Sequence, residues 1–450
     1  MASRRNLLAT LFGGGIIGGA AIYALGRPES SNPVPNETPP TPTADETLPF
    51  SPQEVWTQFQ ASAKHDGISS TEQLHSESPE RQWQRRFSSP SRSGLVATQN
   101  CLIEQRRDYL QALDKITGEV VWDAADTGVD EFSFLCDPVV HDESVIFAGR
   151  NSRTLDREVI SLGASTGEIE WKKTLSSDDG GINGLTVDKS RICVLRKNYD
   201  TEEILITTLS TETQEIDWTH EVTAYDAVNR PVAISQDAIV FGGRQEYERT
   251  GTAPSESDSP GGVTALNPET GTVMWRKEVA GTQLPVTIYD NIVIVTPNFS
   301  FDTYAEIQQD GPYPLMGLQV ATGEIIWQFE AQDIGASSPA VTPEHVYYGL
   351  SETLWAIDTT DGSLGWQTDV GRFVEASSPA VVGNLVLIGD LDFNHEESYV
   401  TAFNRMTGEK QWERAFDESQ IRAVMSVDGA VFAKGETYHD EESETIRAFW

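Results

Sequence analysis

Cysteine, lysine and recognisable catalytic motifs are all scarce in this chain. Its 450 residues include 3 cysteines, at Cys101, Cys136 and Cys193, so no dense disulfide framework holds it together. None are adjacent, which excludes a vicinal disulfide. All three lie in apolar, strand-like contexts such as Arg191-Ile192-Cys193-Val194 and read as small buried hydrophobes, with a bridge between two of them left open. The 32 basic residues face 69 acidic ones, a formal charge of −37. An extended phosphate-binding surface needs clustered cations, so nucleic acid is excluded as a partner. The 7 histidines are scattered. There is no His-Glu-x-x-His, no His-x-His, no Gly-x-Ser-x-Gly and no phosphate-cradling glycine loop.

What is present is globular in character, with 38% hydrophobic and 22% charged residues. So acidic a surface repels itself in dilute buffer and loses that penalty in molar salt, where the screening length falls to about 3 Å. The acidic, lysine-poor composition resembles that of proteins from salt-accumulating halophiles. A cation-binding protein is the functional alternative. The charges are spread along the chain rather than blocked, which favours the environmental reading.

Residues 1–27 read as a Tat-type signal or an N-terminal membrane anchor. Arg4 and Arg5 precede an apolar run, residues 7–25, near the length that spans a bilayer. The two outcomes are a tether with the arginines inside and the rest on the extracellular side of the cell membrane, or a cleaved signal and a secreted protein. Residues 28–48 form a Pro/Thr-rich spacer, and residues 49–81 a lead-in segment. Asn36 and Asn298 each begin a glycosylation sequon, which fits an exterior location.

An eleven-residue string recurs seven times, clearest from Ala112 to Trp122. The other copies run Ser161–Trp171, Thr208–Trp218, Ala265–Trp275, Gly317–Trp327, Ala356–Trp366 and Ala402–Trp412. Each reads as a hairpin. One strand ends at Asp114 or its equivalent, whose side chain caps the turn. A glycine such as Gly118 takes the left-handed position, and the next strand carries the tryptophan. Gln214 replaces that glycine in the third copy, so its turn is expected to be less regular. Two further apolar runs precede each string, as in Ser378 to Gly389, giving four short strands per unit. The end of the chain supplies three strands of an eighth unit. Arg81 to Phe87 supplies an orphan fourth, with Trp83 in the repeat position. The expected fold is all-β: an eight-bladed β-propeller of four-stranded antiparallel blades, closed by pairing of N- and C-terminal strands over residues 82–450. A monomer is expected.

The string resembles the tryptophan-docking motif of the pyrroloquinoline quinone (PQQ) repeat family, and Trp56-Thr57-Gln58-Phe59 resembles that family's lead-in. The resemblance implies eight blades, with Trp83, Trp122, Trp171, Trp218, Trp275, Trp327, Trp366 and Trp412 wedged between them as structural residues. It covers both quinoprotein alcohol dehydrogenases and the non-catalytic BamB assembly scaffold. The enzyme branch implies PQQ over a tryptophan floor, a calcium ion held by Glu, Asn and Asp, and an aspartate base. No such calcium set is identifiable by motif here.

Two candidate sites remain. Asp390, Asp392 and Asn394 present oxygen ligands at alternate positions, as calcium loops do, but His395 and Thr401 stand where an EF-hand loop has Gly and Glu. A solvated loop between strands is the preferred reading of them. The mouth where loops enter the innermost strands carries Asn183, Asn229, Arg230, Gln283, Ser337, Glu375, Ser377 and Arg422. Arg230 and Arg422 open opposite blades and together suit an anion or an acidic peptide, unless each is consumed by a neighbouring carboxylate. The sequence therefore points to an exported, membrane-tethered, non-enzymatic binding or assembly scaffold with an unidentified protein partner and no expected cofactor. The rivals are a PQQ- and calcium-dependent dehydrogenase of alcohols or sugars, and a solute or glycan binder at the channel mouth.

Overall fold

A computed structural model describes residues 58, 61–69, 74, 79–87, 94–105, 110–127, 129, 132–134, 136–176, 180–198, 203–222, 231–244, 260–280, 286–296, 314–330, 337–374, 377–392, 397–417, 420–437 and 443–450. The strands form eight antiparallel sheets, each with four strands in consecutive ladder order. Blade 1 comprises Val96–Ala97, Cys101–Gln105, Leu110–Asp114 and Val120–Asp123. Blades 2 to 7 follow in chain order, and blade 2 has an inner strand split into Phe132–Phe134 and Val139–His141. Blade 8 takes Gln420–Val427, Ala430–Thr437 and Ser443–Phe449 from the end of the chain, and Arg81–Phe87 from its beginning. First strands of neighbouring blades touch one another around the axis, so they are innermost. The eight-bladed ring and its closure are as the sequence predicts.

Burial explains the strand chemistry. Second strands are packed on both faces and read as unbroken apolar runs: Val386, Leu387 and Ile388 have no exposed surface. Outermost strands alternate, as in Ile325–Phe329, where Trp327 is buried between exposed neighbours. The apolar clusters lie between blades. One joins Val240, Val263 and Trp275 of blade 4 to Ile288, Val293 and Leu318 of blade 5. Each repeat tryptophan sits opposite the first residue of its own string, as Trp122 does opposite Ala112 and Trp327 opposite Gly317. That residue is small because the indole lies over it: a Cβ on Gly317 would stand 2.5 Å from the Trp327 ring.

The indoles lock each blade to the next. Trp83 Nε1 donates to the Lys115 carbonyl (3.0 Å), Trp122 to Ala164 (2.9 Å), Trp218 to Pro268 (3.0 Å), Trp275 to Val320 (2.7 Å), Trp327 to Thr359 (2.9 Å) and Trp366 to Arg405 (2.9 Å). Every acceptor lies in the turn between the third and fourth strands of the following blade. Asp114 Oδ1 accepts the backbone N–H groups of Ile116 and Thr117 and so caps that turn, as its sequence position predicts. Gly323 lies against the Trp275 ring at φ +70°, where a Cβ would approach to 2.5 Å.

The Gln214 turn corrects the sequence reading. Gln214 takes φ 58°, and its N–H donates to the Ser210 carbonyl at 2.9 Å, as Gly118 does to Asp114. Its side-chain amide donates to the Thr211 carbonyl at 2.7 Å. The turn is regular because its hydrogen bonds outweigh a left-handed penalty of roughly 1–2 kcal/mol.

Candidate functional site

The two ends of the ring differ in how the chain treats them. Inner strands finish at the end where residues 61–69 run along them, here termed the strap. Its carbonyls accept from Ile234 (Ala63, 2.7 Å), Ile288 (Lys64, 2.8 Å), Val341 (Asp66, 2.8 Å) and Val381 (Gly67, 2.9 Å). Gln58 exchanges two bonds with Val187. Gln58 and the strap thus tie blades 3 to 7 together. His65 fixes its centre, fully buried, with Nδ1 donating to the Val286 carbonyl at 3.1 Å. Burial lowers the His65 pKa to about 4, against the small upward pull of that bond.

The described channel-mouth residues, Asn183, Ser337, Ser377 and Arg422, belong to the opposite end, and Ser337, Ser377 and Arg422 are committed to the fold. Ser337 and Ser377 are buried. Each hydroxyl accepts from a backbone N–H, of Gly349 (3.1 Å) and Gly389 (2.7 Å), so they brace second strands. Arg422 Nε donates to Glu436 at 2.7 Å. Asn183 and Arg422 sit where the pairing slips by one residue, between Ile182 and Gly184 and between Ile421 and Ala423. A bulge re-aims the side chain it inserts, and no repeat pattern in the sequence marks it. Asn229, Arg230, Gln283 and Glu375 lie outside the described residues, so the Arg230–Arg422 pair is not described.

Asp390 and Asp392 lie in the strand Leu385–Asp392. Asn394 and both sequon asparagines, Asn36 and Asn298, lie outside the described residues. The Asp390 carboxylate is fully buried and accepts from Arg372 (3.0 Å) and Thr401 (3.2 Å). Burial raises its pKa to about 6, and Arg372 pulls the other way. Arg372 also bonds Glu413 and lies over the Tyr399 ring at 4.0 Å. Burial alone would raise Glu413, but Arg372 holds it below the usual carboxylate range. Nothing in the sequence spacing announces this cluster, because its members come from four separate strands and loops.

Among the described residues no three His, Cys, Asp or Glu side chains converge as a metal site requires. The three cysteines are free, and burial pushes their thiols upward. No helix among the described residues is long and apolar enough to cross a membrane, and residues 7–25 lie outside them.

The largest chemical asymmetry lies on the surface. Ten large hydrophobics are exposed among the described residues, and nine stand at the strap end. They are Val120, Val121, Ile216, Val273, Met274, Ile325, Ile326 and Leu364, at the starts of outermost strands, and Met406 in a turn. Exposed acids alternate with them: Glu119, Glu215, Glu269, Glu324 and Asp361. Leu155 alone lies at the other end. Sequence reading passed over these positions because each looks like an ordinary strand residue.

A family described as outer membrane protein assembly factor BamB matches residues 131–298 and 315–448. A search of curated proteins finds no match. Among solved structures, quinohemoprotein alcohol dehydrogenase from Comamonas testosteroni superposes with a TM-score of 0.63 at 12% identity, over 89% of this chain and 81% of the other. BamB from Moraxella catarrhalis gives 0.53 at 13% identity, over 82% and 99%. The computationally designed Ika8 protein gives 0.54 at 15%, over 80% and 96%. Identities this low establish shared fold alone. The family match spans more than half of the sequence, and the docked tryptophans and ring closure give it a physical basis: the chain belongs to the PQQ-repeat β-propeller family whose model is described as outer membrane protein assembly factor BamB.

Proposed function

We propose that this protein is a non-enzymatic binding or assembly scaffold, exported by a Tat-like route and tethered outside the membrane through residues 7–25. One observation carries the reading: the exposed aliphatic residues gather at the strap end. Apolar patches grouped on one face mark protein contacts, whereas singly scattered ones do not. The alternating carboxylates suit a partner surface that sets basic residues beside apolar ones. Support also comes from the opposite end, where Ser337, Ser377 and Arg422 have internal partners.

Two measurements test this. Titration with PQQ and calcium in molar salt, followed by tryptophan fluorescence, should show no binding up to about 100 μM, roughly −5.5 kcal/mol. Saturable, calcium-dependent quenching would overturn the scaffold reading in favour of a dehydrogenase of alcohols or sugars. Glutamate placed at Val121, Met274 or Ile326 should abolish partner association in native membranes, while Leu155→Glu leaves it intact. Equal loss at both ends would also count against the scaffold.

A further inference from the structure

The strap brings two charged side chains, Lys64 and Asp66, to the seam between blades 5 and 6. There they line a cleft of ≈ 420 Å³ together with Tyr289, Asp290, Ile292 and Pro343. Specific pockets for small ligands begin near 300 Å³, so the space accommodates a small molecule. The strap's other positions flanking this pair, Ala63, Gly67 and Ile68, carry no polar side chain. Asp66 is positioned from within: Ser62 donates to its Oδ1 at 3.0 Å, and the backbone N–H of Ile68 also donates to the carboxylate, which lines the cleft. The Lys64 ammonium is exposed and makes no ion pair among the described residues, and the Tyr289 hydroxyl makes no hydrogen bond there. Asp290 closes the far side from the tip of the blade 5 hairpin.

The charges choose the ligand class. A simple anion would be drawn to Lys64 and repelled by two carboxylates. A simple cation would satisfy the carboxylates and meet the ammonium. We propose that this cleft binds a small zwitterion, with a carboxylate and a primary ammonium a few bonds apart, as in a free α-amino acid. Lys64 and Tyr289 donate to the ligand carboxylate, Asp66 and Asp290 accept from its ammonium, and Ile292 and Pro343 offer apolar contact to its side chain. The site shares the strap end with the exposed rim, Thr360 of its lining standing beside Asp361, but the scaffold reading rests on the aliphatic residues, so failure of the site leaves that reading untouched.

The test uses the full chain with fluorotyrosine incorporated, the Tyr289 resonance being assigned through Tyr289→Phe. L-alanine should shift that ¹⁹F signal saturably. Acetate and ethylamine, each carrying one of the two charges, should bind at least about tenfold more weakly. Lys64→Met, at an exposed position, should keep the unfolding midpoint and weaken L-alanine about tenfold. The proposal is overturned by no saturable shift up to about 50 mM L-alanine. Glucose binding as well as L-alanine, or unchanged affinity in a folded Lys64→Met protein, overturns it equally.

Discussion

Blades 3 to 7 and the seam between blades 8 and 1 hold the same ring by different means. In the first arc, the strap stitches inner strands through backbone bonds, and indoles reach carbonyls of the following turn. In the second, the outer strands of blade 8 come from opposite ends of the chain and meet by pairing, with Trp83 opposite Ala448. No turn joins those strands, so blade 8 lacks the carbonyl that Trp412 of blade 7 would reach, while Trp83 keeps its bond to Lys115 across the seam with blade 1. Trp412 is buried with Nε1 unpartnered in consequence. Across the seam between blades 8 and 1, buried charge adds to the Trp83 bond. Lys434 of blade 8, fully buried, contacts Glu104 of blade 1 (3.4 Å) and Glu444 (3.3 Å), and Lys115 meets Asp428 at 2.6 Å. A buried ion pair adds little net stability over an apolar substitute, but it specifies which surfaces meet. Specificity is what a closure between distant chain segments requires.

The largest expected effect lies at the seam. Lys434→Met strands two buried carboxylates and should cost about 3–5 kcal/mol in denaturant unfolding. Adding Glu104→Gln and Glu444→Gln should recover most of that loss. If the single variant is neutral, charge does not define the closure.

The strapped arc should instead show its character in pH. His65 titrates at about 4 when folded, below its unfolded value, so its contribution is present above pH 6.5 and lost as pH falls towards 4. The shift corresponds to on the order of 3 kcal/mol. Asp390 works in the opposite sense: its folded value of about 6 favours the native state below the unfolded value and loses that effect as pH rises through 6. The two partly cancel in the native protein. Asp390→Asn should therefore make the fall in stability between pH 6.5 and 4 steeper, and an unchanged slope would assign the pH response elsewhere.

Within the regular blades, Gly323→Ala forces a Cβ onto Trp275 at a positive φ and should lower stability by about 2–4 kcal/mol. The smallest effect compares the arcs directly. Trp275→Phe loses an indole hydrogen bond that Trp412 never makes, so it should cost about 1 kcal/mol more than Trp412→Phe. Equal losses would mean that the indole bonds contribute nothing beyond packing.

Much of this was legible in the residues. The repeat placed every docking tryptophan, the left-handed glycines and the orphan strand at Arg81–Phe87, because each property depends on only a few neighbouring residues. The strap was not legible. Ala61 to Ser69 has no alternation and few apolar side chains, so it reads as a connector, and its hold on the ring comes from backbone groups that every residue carries. The mouth residues misled for a related reason. Ser337 and Ser377 look like surface hydroxyls until Gly349 and Gly389, twelve residues on, bring their N–H groups to them.

By itself the sequence determined the blade count, the order of strands and the position of each indole, since hydrophobic periodicity and turn chemistry are local. Only the tertiary structure decided which charges are buried at the seam, which end the strap crosses and where the exposed aliphatics gather. Those properties belong to pairs of residues hundreds of positions apart, such as Lys434 with Glu104 and Val286 with His65, and no local pattern encodes who the distant partner will be.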